Sequence, residues 1–214
     1  MTFNSLNYQQ ILENISKYGT KNVKMVAVSK NHSVESIKTA INSGIRIFGE
    51  NRVQEAEKKF LDLKNKFLDL ELHLTGPLQT NKVKQALDIF DVFHTVDREK
   101  LLKEFSKFPD KIKNKTFFIQ VNTGKESSKS GIYPENAKKF LDQCYSYGVK
   151  NIEGLMCIPP INDSPKKHFE ALTILSQKLE LKKTSIGMSA DYLQALEFGP
   201  AYIRLGTILF GKRT

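Results

Sequence analysis

The sequence predicts an α/β fold closed into one single-domain (β/α)8 barrel of the TIM type. Three observations predict it. Eight short apolar runs recur along the 214 residues, each followed by a segment with helical period. The runs are rich in β-branched or aromatic residues and bounded by Gly, Asn, Ser or Asp, which suits parallel strands buried on both faces. The count closes at eight and no G-x-G-x-x-G crosses the first strand-to-helix turn, so a closed barrel is favoured over an open doubly wound sheet, and the absence of a Pro- or Ser-rich linker makes it one domain.

The elements follow in order. Asn7–Tyr18 reads as a leading helix, and Met25–Val28 as the first strand. Helix Val34–Asn42 comes next, opened by Ser33 as an N-cap. Strand Ile45–Phe48 leads to helix Val53–Leu68, Leu72–Thr75 to Lys82–Leu87, and Val92–Thr95 to Arg98–Ser106. Strand Phe117–Val121 leads to helix Glu135–Tyr147, with Pro134 where a first-turn proline is tolerated. Ile152–Met156 leads to Pro165–Leu181, Ser185–Met188 to Asp191–Phe198, and Tyr202–Leu205 closes the set. Gly19, Gly44, Gly148 and Gly199 follow helices where a left-handed cap is expected. The expected layout is a leading helix over 1–20, a barrel over 23–207 and a tail over 208–214.

Composition narrows the function classes. With 40% apolar and 26% charged residues the chain carries a globular core, which excludes a disordered or fibrous protein. The longest aliphatic stretch, Met25–Val28, is far too short to cross a bilayer, so no membrane partner is expected. The amino terminus lacks a basic leader and an apolar stretch, and a cytoplasmic location is expected. Cys144 and Cys157 cannot make a disulfide framework and are expected as buried thiols. His32, His73, His94 and His168 show no ligand spacing, so no metal is expected. The net charge of +10 favours anionic partners, yet only five of the 33 basic residues are arginine. Arginine is the usual reader of phosphates and base edges, so the charge reads as a solvated lysine surface and no nucleic-acid partner is expected.

In such a barrel the chemistry lies at the carboxyl ends of the strands. Closure sets strand eight beside strand one, so Lys30 and Arg204 share one mouth. A neighbouring cation and partial burial lower a lysine's pKa and free its amine for attack on a carbonyl, although Lys30 also fits a surface lysine flanking a strand. Ser189-Ala190-Asp191 after strand seven and Gly206-Thr207 after strand eight resemble a phosphate-binding pair of loops, while Ser189 alone fits an N-cap for the helix that follows. Gly206 to Lys212 nearly spells a Walker A loop. Arg213 stands where Ser or Thr must bind magnesium, and no helix is expected after it to receive phosphates, so a P-loop is rejected.

Taken together, Val26-Ala27-Val28-Ser29-Lys30, Phe48-Gly49-Glu50-Asn51-Arg52-Val53-Gln54-Glu55, His73-Leu74-Thr75-Gly76-Pro77-Leu78-Gln79-Thr80-Asn81-Lys82, Lys129-Ser130-Gly131, Gly154-Leu155-Met156, Gly187-Met188-Ser189-Ala190-Asp191 and Arg204-Leu205-Gly206-Thr207 with Phe210-Gly211-Lys212-Arg213 strongly resemble the pyridoxal 5′-phosphate (PLP) homeostasis proteins. These are single-domain barrels similar to the amino-terminal domain of alanine racemase. The resemblance implies that Lys30 holds PLP as an internal aldimine, that Ser189, Gly206 and Thr207 grip the phosphate with Met188 behind them, that Arg204 faces the pyridine nitrogen, and that Asn51 lines the ring site, with His73 as a further liner. Leu72 and Thr75 depart from the family pattern in strand three, which bears on packing more than on the cofactor.

Arginine opposite the pyridine nitrogen disfavours ring protonation and weakens the cofactor as an electron sink. Racemisation needs acid/base groups on both faces of the α-carbon, and no counterpart of the additional β domain that supplies one in alanine-racemase-like enzymes is expected. The expected role is therefore a non-enzymatic one: holding PLP, controlling its free level and delivering it to PLP-dependent apoenzymes, as a monomer. The alternatives are a small PLP-dependent racemase and a Schiff-base aldolase or lyase acting on a phosphorylated substrate. Lys82, Lys129 and Lys212 are candidates for a secondary PLP site, against the alternative of plain surface charges.

Overall fold

An extended chain turns successive side chains to opposite faces, and this decides what fills the barrel. In β1 (Lys24–Val28) Val26 and Val28 join Val92, Phe118, Met156 and Tyr202 in a lumen cluster, whereas Ala27 between them joins the core under the helices. The computed structural model describes residues 3–20 and 22–211. In it β1, β2 (Ile47–Glu50), β3 (Glu71–Leu74), β4 (Val92–Val96), β5 (Thr116–Gln120), β6 (Ile152–Met156), β7 (Lys183–Ser185) and β8 (Tyr202–Leu205) pair in parallel in that order. β8 closes on β1 with Arg204 opposite Val26.

The outer ring consists of α1 (Ser5–Tyr18), α2 (Val34–Asn42), α3 (Val53–Lys66), α4 (Val83–Ile89), α5 (Glu99–Phe105), α6 (Pro109–Ile112), α7 (Ala137–Ser146), α8 (Pro165–Lys178), α9 (Tyr192–Leu196) and α10 (Thr207–Phe210). Their apolar faces cover the outward strand residues. Phe93 and Phe117 on the sheet meet Phe105 of α5 with ring centroids 5.1–5.6 Å apart, the offset and edge contacts aromatic rings favour.

Several boundaries differ from expectation, for local reasons. The leading helix starts at Ser5 because the Asn4 side chain accepts the N–H of Asn7 at 2.9 Å and caps it. Gly19 ends that helix in an extended conformation (φ −88°), not the left-handed one expected, while Gly44, Gly148 and Gly199 do take positive φ. β7 stops at Ser185, because Gly187 at φ 88° turns the chain out of the sheet before Met188. Pro134 opens a 3-10 turn, and the α-helix proper begins at Ala137. α6 and α10 were not expected at all. α10 lies within the Gly206 to Lys212 stretch and makes the expected tail helical through Phe210, whereas the expectation of no helix beyond Arg213 falls on 212–214, outside the described residues. The missing Ser or Thr at Arg213 still argues against a P-loop.

Gly154 of β6 leaves no room for a side chain. A Cβ there would stand 1.9 Å from the Lys183 carbonyl oxygen and 2.7 Å from the Phe118 ring. Gly154→Ala is expected to push β6 from β7 and cost about 1–3 kcal/mol, read from urea unfolding.

Candidate functional site

Lys30 continues the inward face of β1 one step beyond Val28, and Asn31 after it takes φ 62°. That turn is gripped from behind. The Ser29 hydroxyl donates to Glu50 Oε1 at 2.7 Å. Lys59 on α3 donates to Ser29 O at 2.9 Å, to Glu50 Oε1 at 3.1 Å and to Glu55 Oε1 at 2.6 Å. Glu55 in turn accepts the Asn31 N–H at 2.5 Å. All three ammonium protons of Lys59 are used, and the residues on both sides of Lys30 are fixed in place.

Across the mouth, the loops after β7 and β8 form a nest. Asp191 Oδ1 accepts the Met188 N–H at 2.6 Å. The Ser189 hydroxyl accepts N–H groups from Gly206 at 3.2 Å and Ile208 at 3.4 Å, so it serves the start of α10. It does not cap the helix that follows it, whose cap position is Asp191. Among the described residues, the backbone N–H groups of Ser189, Ala190 and Thr207 meet no acceptor, nor does the Thr207 hydroxyl. Such converging unpaired donors suit an anion with several oxygens.

Arg204 projects from β8 between these halves. It is buried, yet it donates to Ser185 O and Ser185 Oγ at 2.7 Å each and to Cys157 O at 3.0 Å. Burial lowers its pKa to about 10, so it remains a cation at neutral pH. Three of its five N–H groups are used, leaving two without an acceptor among the described residues. Asn51, beyond β2, is steered by Thr75, whose hydroxyl donates to Asn51 Oδ1 at 3.0 Å and leaves the amide N–H groups to the cleft. Gly76 allows this approach, because a Cβ there would lie 2.7 Å from Asn51.

These residues line one cleft of about 310 Å³. Of the expected site residues it brings together Lys30, Asn51, Met188, Ser189, Arg204, Gly206 and Thr207. His73 is not among its lining residues. It lies fully buried in the lumen against His94, because the two-residue period points it inward one layer too deep to reach the mouth. Ala190, within the expected phosphate loop, lines the cleft as well, and Val28, Thr75 and Ile158 line it without having been expected. The inward alternation from Val26 would have found Val28. Thr75, read as a packing variation, proves to be a cleft residue. Larger hollows exist, such as one of about 550 Å³ among Thr20, Lys24, Lys182 and Tyr202, but none of those described gathers an amine, a cation and a nest of free donors.

Of the other lysines considered, Lys82 lines a separate hollow with Arg52 and Arg98, Lys129 is exposed in the β5–α7 connection, and Lys212 lies outside the described residues. Cys144 and Cys157 are buried free thiols, each pushed up to about 12 by burial and therefore poor nucleophiles. Among the described residues no helix is long and apolar enough to cross a membrane, and no group of His, Cys, Asp and Glu is placed to hold a metal ion.

The model of the alanine racemase amino-terminal domain matches residues 6–214. The chain is 38% identical to the pyridoxal phosphate homeostasis protein of Aquifex aeolicus, over 95% of this chain and 96% of the relative. The chain belongs to the pyridoxal phosphate homeostasis protein family. Two solved structures of PipY from Synechococcus elongatus, at 32% identity, match over 94% of this chain and 99% of PipY, with TM-scores of 0.84 without PLP and 0.81 with PLP bound.

In this homeostasis-family chain the clamp behind Lys30 carries a pH dependence. Glu50 is fully buried, and its Oε2 has no partner among the described residues. Burial raises its pKa from 4.5 to about 7, against the opposing pull of Lys59 and Ser29. The folded state therefore binds the extra proton. The resulting stability is present in full below pH 4.5 and is lost as pH rises through about 7. Urea titrations at about pH 5 and about pH 8 are expected to differ by about 2–3 kcal/mol from this group, with Glu50→Gln flattening the slope.

Proposed function

We propose that this chain binds PLP covalently through Lys30 and buffers its free concentration, without turning over amino acids itself. The observation that carries the reading is the convergence in one cleft of the Lys30 amine with the two N–H groups of Arg204 and the donors of Ser189, Ala190 and Thr207 that meet no acceptor among the described residues. An aldehyde, a pyridine nitrogen and a phosphate ester are complementary to those three features in turn. The donor set fits a doubly charged ester, and Arg204, which can only donate, fits an unprotonated ring nitrogen. When bound, PLP supplies an aldehyde that condenses with an amine and a ring that withdraws electrons. Asn51 and Thr75 give the ring site its polar wall, and Met188 and Val28 its apolar contacts.

PLP bound in PipY supports the cofactor, and the names of the relatives support homeostasis. The non-catalytic reading is supported by the cleft itself. Among its described lining residues Lys30 is accompanied by no carboxylate, imidazole or phenol, whereas inversion at a carbon needs a second proton-exchanging group on the opposite face. Delivery to PLP-dependent apoenzymes from a cytoplasmic monomer completes the proposal, the open mouth suiting exchange. The test is borohydride reduction of the PLP-loaded protein followed by digestion and mass spectrometry. A pyridoxyl adduct on Lys30 is expected; its absence there overturns the reading.

A further inference from the structure

A chain of polar side chains crosses the apolar lumen from one mouth to the other. Arg204 donates to Ser185 Oγ at 2.7 Å, Ser185 Oγ stands 2.9 Å from His94 Nδ1, His94 Nε2 stands 2.8 Å from His73 Nδ1, and His73 Nε2 stands 2.6 Å from Glu71 Oε1. His73, His94 and Ser185 have no solvent exposure, while the Glu71 side chain is 33% exposed at the far mouth, in a hollow shared with Asp91, Glu153 and Lys183. Burying three polar groups in a lumen otherwise filled by Val26, Val92, Phe118 and Met156 costs stability unless every one is paired.

The two ends dictate the direction of every link. A guanidinium can only donate, and a carboxylate can only accept. The His73 proton therefore sits on Nε2, facing Glu71, which leaves Nδ1 to accept. His94 must then carry its proton on Nε2 and accept at Nδ1. The Ser185 hydroxyl donates to that nitrogen and takes the Arg204 N–H on its lone pair. Each polar atom in the chain is satisfied once, with both rings neutral, and no other arrangement of neutral rings satisfies both ends.

We propose that Glu71, His73, His94 and Ser185 are positioning residues that hold Arg204 and offset its charge through this directed chain, so that the far mouth of the barrel sets the electrostatics of the cleft. The proposal rests on the reading of Arg204 as the partner of the pyridine nitrogen. Burial holds both imidazoles below their ordinary pKa, and the hydrogen bond from His73 holds Glu71 below the usual carboxylate range, which keeps the carboxylate end accepting and the rings neutral. The other titratable groups facing the chain are Lys24 on β1, Asp91 ahead of β4, Glu153 on β6, Tyr202 on β8 and, around Arg204, Cys157 and Asp191.

The test compares Glu71→Gln and Ser185→Ala with Glu153→Gln, a charge at the same far mouth outside the chain. In PLP-loaded protein, breaking the chain leaves the Arg204 charge less offset. The proton on the cofactor–Lys30 link is then lost at lower pH, by about half a unit to one unit in the visible titration. Both chain variants are expected to shift it, their combination no further than the larger single shift, and Glu153→Gln not at all. An unmoved midpoint in the chain variants, or an equal shift from Glu153→Gln, overturns the proposal. Side-chain ¹⁵N spectra of the protein without PLP decide the chain separately: both histidines are expected as neutral Nε2–H tautomers, with His94 altered in Ser185→Ala. A charged ring or an Nδ1–H tautomer at neutral pH overturns it, whereas failure of the wild type to take up PLP overturns only the cofactor reading.

Discussion

Lys30→Ala is expected to abolish covalent capture of PLP and to weaken its retention at least about a hundredfold, equivalent to about 2.8 kcal/mol. Borohydride reduction should then leave the polypeptide mass unchanged, and equilibrium dialysis should read the loss of affinity. The variant keeps the nest of Ser189, Gly206 and Thr207 and the Arg204 cation, so weak binding that competes with inorganic phosphate is expected to survive. Lys30 sits half-buried at the rim beyond the lumen core, and the stability of the cofactor-free protein is expected to change by only about 0.5 kcal/mol. A variant that bound PLP as tightly as the wild type would place the capturing amine elsewhere.

Lys59→Met acts on the same turn from the opposite side. The Lys59 side chain is 10% exposed and neutralises Glu50, which is fully buried, together with Glu55. Removing Lys59 takes away the cation that opposes burial at Glu50, so that carboxyl takes up a proton at neutral pH, and the expected destabilisation from the lost hydrogen bonds is about 1–3 kcal/mol, measured by urea unfolding. Because Lys59 also holds the Ser29 carbonyl, and Glu55 holds the Asn31 N–H, PLP capture is expected to fall as well. Adding Glu50→Gln removes the group that takes up the proton and should flatten the pH dependence that remains. Full additivity of the two losses would show that the residues do not form one unit.

Much of this architecture is legible before any coordinates. Eight apolar runs led to eight strands because a parallel strand buried on both faces must be apolar along its length, and that pattern does not depend on distant contacts. Some cleft residues were legible for a related reason: the fold fixes strand ends as the place of chemistry, so Lys30 and Arg204 could be located by counting, whereas Asn51 came from the family resemblance. What escaped depends on three-dimensional partners. Ser189 is suited by composition to cap the next helix, but the β7 and β8 loops meet, and its hydroxyl serves Gly206 and Ile208 instead. His73 shares a segment with cleft residues, yet its depth in the lumen follows from the stagger of β3 against β4, which one sequence does not carry. α10 spans four residues, too few for a helical period to register.

The seam between β8 and β1 joins the two ends of the chain, setting Arg204 beside Val26 and bringing Lys30 to face Gly206 and Thr207. During synthesis the amine therefore emerges long before the loops proposed to seat the phosphate. On the proposed function, a ribosome-bound chain still lacking its final strand has a hook without a socket, and tight uptake of the vitamin is expected to become a timestamp for the moment the ring shuts.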